Sequence, residues 1–341
     1  MRFYDITITP KTGPEYHFKT LGDDGLFNPG ALNIEIDATV GFGGSPMGAP
    51  SVGLLRLWGV PLVKMEGYPG ISQASDLNGG HILMKAGMSK GLPLTVSEVD
   101  QQGVVLRGAI WQAFGNWIGT DMTIDLNAYL DGAEPVQEGY GAVQEAVNLN
   151  FTWHKGQKLA DAINTTLTNA YPDLSAPSIN ISDNLVAPQE DPGTTMDLTT
   201  FRQKIRERTI SMLGKNNDTY PGVRIALSQA KNQFIVTDST KPSAARVLAF
   251  QDLIGQPTWI GFNQLQFTTV MRADLDIDDV VKFPKLQATQ TAAEQSFQAK
   301  DKSAFDGTFF IKQIRHVGNF RAPDARAWVT VFDAFPMKSV T

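Results

Sequence analysis

The sequence predicts a mainly β protein, α+β overall, in which two β-barrel or β-sandwich domains flank a smaller α+β domain. Three observations carry that prediction. Residues 1–137 alternate apolar and polar side chains in short runs bounded by Gly, Pro, Asn or Asp, with little helical periodicity. Residues 138–240 hold the two long helical stripes, and residues 241–341 return to strands. Short strands separated by turn signals are the pattern of a barrel or sandwich.

In the first domain RFYDITI (2–8), ALNIEIDATV (31–40), HILMKAGMS (81–89), GVVLRGAIWQAF (103–114) and DMTIDLNAY (121–129) each read as a strand. In the middle domain, residues 156–171 place Leu159, Ile163 and Leu167 four apart, one apolar stripe of a helix that Pro172 ends. The polar stretch Ser175 to Thr195, with Pro177, Pro188 and Pro192, reads as loop with one short strand at 178–183. A second helix follows at 197–215, with Phe201, Ile205 and Met212 or Leu213 on one side and Gly214 placed to end it. Residues 222–238 then form two strands around a turn.

The last domain opens with a short helix from Ser243, its N-cap, to Gly255 just past its end. Strands are expected at 263–271, 279–284, 307–318 and 325–335. Between them Leu286 to Gly307, rich in Gln, Ala, Thr and Lys, reads as an exposed insertion.

Composition narrows the function. The 341 residues are 42% hydrophobic and 19% charged, enough apolar surface to fold. Net charge is −6 and the pI about 5.3, which argues against a phosphate-backbone binder. The absence of cysteine excludes disulfides, thiolate nucleophiles and cysteine-based zinc sites. Residues 1–10 alternate like a strand and lack the apolar core of a signal peptide, and no apolar run is long enough to span a membrane.

One acidic cluster invites a metal reading. Asp274, Asp276, Asp278 and Asp279 begin like a calcium loop, and Asp274, Asp276 and Asp278 match an EF-hand's first, third and fifth positions. Asp279 then stands where Gly is required and Lys285 where the bidentate Glu belongs. Leu275 and Ile277 alternate with the acids, so the stretch reads as a strand–turn–strand with a solvated acidic edge.

Other candidates also reduce to structure. The glycine-rich stretch Val40 to Ser51 lacks a P-loop ending or a dinucleotide fingerprint, and reads as an interstrand loop able to serve as a partner-binding arm. His17, His81, His154 and His316 are scattered, and neither a His-Glu-x-x-His nor a Gly-x-Ser-x-Gly motif is present. Arg202, Lys204, Arg206 and Arg208 spread over a helix opposite Phe201 and Ile205, a solvated face better suited to an acidic partner protein than to nucleic acid. Trp58, Trp111, Trp117, Trp153, Trp259 and Trp328 read as core or interface anchors. No catalytic, cofactor or metal residues are assigned.

The end of the chain carries a run of motifs. Gln256-Pro257-Thr258-Trp259 precedes a strand, and Asp278-Asp279 forms a turn before Val280-Val281. Ile314 to Gly318, with His316, forms the next strand, and Trp328-Val329-Thr330 the last. Over about ninety residues this run resembles the end of baseplate hub proteins of contractile-tailed bacteriophages, related to the hub part of type VI secretion spikes. The family's turn usually contains Gly-Asp, so Asp278-Asp279 leaves the turn type open. The likeness is pattern-level in the first domain and faint in the middle one.

The resemblance implies two tail-tube-like β domains per chain and no catalytic residues. Three chains would present six such domains, a ring matching a six-fold tube on one side and a three-fold spike on the other. The echo between Gly115-Asn116 and Gly318-Asn319 is what duplication of one β unit would leave. Implied partners are the chain itself as a homotrimer, the tail tube protein, the central spike protein and neighbouring baseplate proteins, with DNA passing through the lumen. An acidic inner wall would let DNA slide past. The expected role is therefore a structural virion protein assembled in the host cytoplasm, not an enzyme. The rivals are a tube or tube-terminator protein, a tail-borne cell-wall hydrolase with paired carboxylates, and a ligand-binding β protein with an apolar pocket.

Overall fold

A computed structural model describes residues 1–11, 13–42, 51–60, 77–88, 101–118, 120–130, 135–138, 141–144, 147–195, 197–214, 220–241, 243–261, 263–284, 305, 307–324 and 327–337. Most of the glycine-rich stretch (43–50) and most of the expected insertion (286–304 and 306) lie outside the described residues.

The first part of the chain forms β1 (Arg2–Thr9), β2 (Tyr16–Lys19), β3 (Ile34–Gly41), β4 (Val52–Trp58), β5 (His81–Met88), β6 (Gly103–Ile118), β7 (Asp121–Tyr129), β8 (Pro135–Glu138) and β9 (Gly141–Gln144). The five expected strands are present, joined by β2, β4, β8 and β9, which the sequence pattern does not predict. Alternation explains them: Ile34, Ile36, Ala38 and Val40 of β3 are buried while the residues between are half-exposed.

The middle part forms β10 (Leu149–Trp153), α1 (Leu159–Ala170), β11 (Ser175–Asn180), β12 (Asp191–Thr195), α2 (Leu198–Leu213), β13 (Arg224–Ser228) and β14 (Gln233–Thr237). Leu159, Ile163 and Leu167 are buried as their spacing requires. Asp197 caps α2 by accepting a 2.7 Å bond from the Thr200 amide, and Gly214 ends it with an ordinary right-handed φ of −68°. The stretch read mostly as loop holds two strands, β11 parallel to β14 and β12 antiparallel to β10. This part has its own core around Trp153, Ile163, Phe201 and Phe234.

The last part forms β15 (Arg246–Val247), β16 (Thr258–Gly261), β17 (Gln264–Val270), β18 (Val280–Lys282), β19 (Phe309–Asn319) and β20 (Trp328–Pro336). The helix expected from Ser243 to Gly255 is not there. In its place stand β15 and a single 3-10 turn at Phe250–Asp252. Its apolar residues do not share one helical face: Leu248 is buried in the core at 2% exposed, while Val247 is 73% and Phe250 72% exposed. The backbone instead joins the sheet, with Val247 paired to Lys282 and Ile254 donating to the Thr268 carbonyl at 2.8 Å.

Hydrogen bonding runs from the first part into the last without a break. Among the described residues one 13-stranded sheet has the order β16-β17-β20-β19-β3-β4-β7-β6-β5-β1-β2, with β15 and β18 attached beside β19. The join is β3 against β19, antiparallel, with Ile36 opposite Gly318. One core serves both parts, from Tyr4, Ile36 and Leu126 to Phe267, Trp328 and Phe332. The middle part docks on this sheet through Gln229, which donates to the Leu130 carbonyl and accepts from the Arg107 amide, both at 2.7 Å.

Candidate functional site

Within the C-terminal motif run, His316, Gly318, Trp328 and Thr330 form one buried unit. In the β19–β20 register His316 stands opposite Thr330 and Gly318 opposite Trp328. His316 Nδ1 lies 2.9 Å from Thr330 Oγ1, and the Arg272 amide donates to the same hydroxyl at 3.1 Å. Burial pushes His316 down to about 3, so the ring is neutral. The Trp328 indole lies over Gly318, where an added Cβ would stand 2.5 Å from its ring. Its Nε1 donates to the Gly87 carbonyl of β5 at 2.9 Å, tying the last part of the chain to the first. The residues are spaced in the sequence as they are because each meets a partner on the neighbouring strand.

The acidic cluster corrects its reading as a solvated edge. Asp276 is 8% exposed, and Leu275 and Ile277 are buried beside it. Asp274 makes a bidentate pair with the buried Arg272 guanidinium at 2.6 and 2.7 Å, and Arg246 Nη2 adds a third contact at 2.7 Å. Burial opposes that charge, but the bonds from Arg272 and the field of Arg246 hold Asp274 below its usual value. Asp276 accepts from Ser228 Oγ at 2.5 Å and from the Ile277 amide at 2.8 Å; burial raises its carboxyl. Asp279 accepts the Asp276 amide at 2.9 Å, closing the turn. Asp278 has φ +69°, the left-handed position that favours glycine, so the turn keeps that geometry without the glycine. Arg272 is two residues from Asp274, but Arg224, Arg246 and Ser228 are distant along the chain and only folding brings them near.

Arg224 pins the middle part to the sheet. Its guanidinium lies 4.7 Å from the Phe42 ring centre and 4.4 Å from that of Phe310, with Asp278 at 3.8 Å. Arg224 and Ser228 come from β13, whereas Asp276 and Asp278 precede β18, so both ion pairing and hydrogen bonding cross the junction.

The remaining sequence candidates divide. On α2, Arg202 is buried at 4% exposed and Arg206 Nε donates to the Pro221 carbonyl, so the basic face is not wholly solvated as expected. Lys204 is exposed, and Arg208 pairs with Asp191 at 3.1 Å. His17, His81 and His154 are exposed and His316 buried, and the fold does not gather them. Among the described residues no group of three or more His or carboxylate side chains is arranged to hold a metal ion. No described helix is long and apolar enough to cross a membrane. Of the tryptophans, Trp153 and Trp328 are core, while Trp117 is 67% and Trp259 46% exposed.

Two described surfaces bear on contact with a neighbour. Among the described residues β16 is at one end of the sheet, and it carries Trp259 and Ile260, the latter 47% exposed. The polar face of the sheet bears a cross-strand ladder: Arg56 is bidentate to Asp125 at 2.6 and 2.8 Å and 3.5 Å from Glu35. Arg315 is bidentate to Asp37 at 2.8 and 2.6 Å, and Asp333 accepts from Gln264 and Gln266.

No protein-family model matches the chain, and no curated protein matches it. Solved structures do. The 43 kDa tail protein of prophage MuSo2 from Shewanella oneidensis is similar over 97% of this chain and 96% of its own, with a TM-score of 0.50 and 9% identity. The tail protein from Neisseria meningitidis MC58 covers 98% of this chain and 96% of its own, with a TM-score of 0.48 and 11% identity. At 9% identity the first of these shows a shared fold.

Proposed function

We propose that this chain is a structural virion protein of a contractile phage tail, and within the tail the trimeric baseplate hub. In this reading residues 1–137 and 241–341 are two tube-like β units flanking the middle domain, and three chains present six such units to the tail tube. The opposite side receives the three-fold central spike, and neighbouring baseplate proteins meet the rim. The hub seeds the tube and lines the DNA channel; it does no chemistry.

The observation that carries the reading is the likeness of fold, over 97% of the chain, to a prophage tail protein. The C-terminal motif run favours a hub over other tail parts. Two features fit the mechanism. The β16 edge, unpaired among the described residues, carries Trp259 and Ile260 and offers a strand and apolar side chains to a neighbour. The polar ladder, with four carboxylates (Glu35, Asp37, Asp125, Asp333) to two guanidiniums (Arg56, Arg315), suits a wall past which phosphates slide.

Absolute mass by light scattering, with sedimentation velocity, tests it. A trimer, alone or with the spike protein added, supports the hub. A hexamer points to a tube or tube-terminator component. A monomer that stays monomeric beside the spike refutes the reading. Ile260→Lys, at an exposed site, is expected to lower the trimer fraction while leaving the fold intact.

A further inference from the structure

The two β parts of the chain are built on one strand plan. The first runs β3-β4-β7-β6-β5-β1 and the last β16-β17-β20-β19-β18-β15, so each strand has a counterpart in the same chain order. The pairings are antiparallel in both, except that β15 lies parallel to β18 where β1 is antiparallel to β5. β6 and β19 also share a bulge at the same point, Ile110 to Gln112 against Ala128 and Asn127, and Ile311 to Gln313 against Ala334 and Asp333. The bulge aligns Gly115 with His316 and Asn116 with Val317. The sequence echo of Gly115-Asn116 with Gly318-Asn319 is two positions out of this alignment.

Beyond its bulge β19 carries β3 on the edge away from β20, from Gln313 to Asn319. The same edge of β6 has no such strand among the described residues. β5 pairs only with the start of β6, as far as Ala109, and the Asn78 side chain accepts from the Ala113 amide at 2.8 Å. From Phe114 to Asn116 that edge carries no strand among the described residues. The counterpart of β3 is β16, whose outer edge is likewise unpaired among them. The registers put Trp259 in the place of Ala38 and Thr258 in that of Asp37. Within one chain β6 and β16 do not meet, because six strands of the sheet stand between them.

We propose that β16 of one copy adds to β6 of the next copy of this chain, antiparallel, with Trp259 opposite Gly115 and Thr258 opposite Asn116. The contact repeats between chains the join that Ala38 and Asp37 make with His316 and Val317 inside one. The side-chain faces agree. The Trp259 ring lies 6.1 Å from that of the buried Phe309, and Gly115 stands opposite Ile124, 3% exposed, so both face the core side of the sheet. An aromatic ring set across from an edge glycine covers its bare backbone. Trp117, two residues on and 67% exposed, extends the apolar strip on that face. Such a contact is heterologous, so it passes from copy to copy and ends only when a ring closes. Closure at three rests on the hub reading; the place and register rest on the strand plan.

The chain has no cysteine, so introduced pairs report this contact alone. Asn116→Cys and Thr258→Cys chains are co-expressed, with the spike protein present if assembly needs it, and are oxidised or treated with a short bis-maleimide. A covalent dimer is expected from the co-expressed pair and at least tenfold less from either variant alone. The double variant should give a covalent trimer. His17→Cys in place of Asn116→Cys is the control, since β2 is the other end of the sheet. If His17→Cys links to Thr258→Cys and Asn116→Cys does not, the sheets join end to end and the proposal is overturned. It is also overturned if light scattering shows an oligomer that neither reagent links, or if one variant alone links as strongly as the pair; the hub reading survives those results. A chain that stays monomeric beside the spike overturns both.

Discussion

Substituting Gly318 by alanine probes the junction on which both β parts depend. The added Cβ would stand 2.5 Å from Cε3 and 2.8 Å from Cζ3 of Trp328, and 3.0 Å from Met271 Cε. Met271 can yield, but the indole cannot easily move. It is 2% exposed, held by its Nε1 bond to Gly87 at 2.9 Å, and met edge-on by Phe320 at 5.9 Å. Overpacking of this kind costs about 1–3 kcal/mol. If the ring tilts to make room it also gives up its hydrogen bond, about 1 kcal/mol more. The expected loss is therefore about 2–4 kcal/mol. Gly41→Ala in the adjoining β3 is the control, because its Cβ meets nothing nearer than 3.5 Å. Urea unfolding followed by tryptophan fluorescence should give a clearly lowered midpoint for Gly318→Ala and an almost unchanged one for Gly41→Ala. If the two variants unfold within about 0.5 kcal/mol of each other, the packing argument for the motif glycine is wrong.

Two other predictions concern the junction between the middle part and the sheet. Burial pushes the Asp278 carboxyl up to about 6, which Arg224 only partly offsets. A raised folded pKa means that its contribution to stability is complete below about pH 4 and lost as pH rises through about 6. Asp278→Asn cannot titrate and accepts the left-handed φ of 69°. Between about pH 7.5 and about pH 4 the native protein should gain up to about 3 kcal/mol relative to this variant; parallel stability–pH curves would refute the assignment. Arg224→Met keeps the bulk between Phe42 and Phe310 but strands Asp278 without its cation. We expect a loss of about 3–5 kcal/mol at neutral pH, partly recovered when Asp278→Asn is added. A double variant no more stable than Arg224→Met would show that the pair is not coupled.

The same junction shows where local reading fails. Alternation of Asp274, Leu275, Asp276, Ile277 and Asp278 predicts a half-exposed extended segment, and Leu275 and Ile277 are indeed buried. It placed the carboxylates in water, since an acid without a visible partner belongs there. Arg272 lies close to Asp274, but Arg224 and Arg246 lie some thirty to fifty residues from the acids they meet, and charge pairing over that distance leaves no periodic trace. Arg202 fails in the same way: its position on α2 looks solvated until the neighbouring elements cover it.

The sequence by itself determined the strands whose side chains alternate, the two helices with apolar stripes, and the mainly β class, because each follows from which face of a local segment must leave water. It also contained the motif run of Trp259, His316, Gly318, Trp328 and Thr330, though not the reason for it. Tertiary structure decided that β3 and β19 pair, which makes one sheet of the two β parts. It decided that Ser243 to Gly255 is sheet-attached rather than helical, with Leu248 in the core and Val247 and Phe250 left exposed. These features depend on contacts between residues far apart in the chain, and such contacts come into being only when the chain closes on itself.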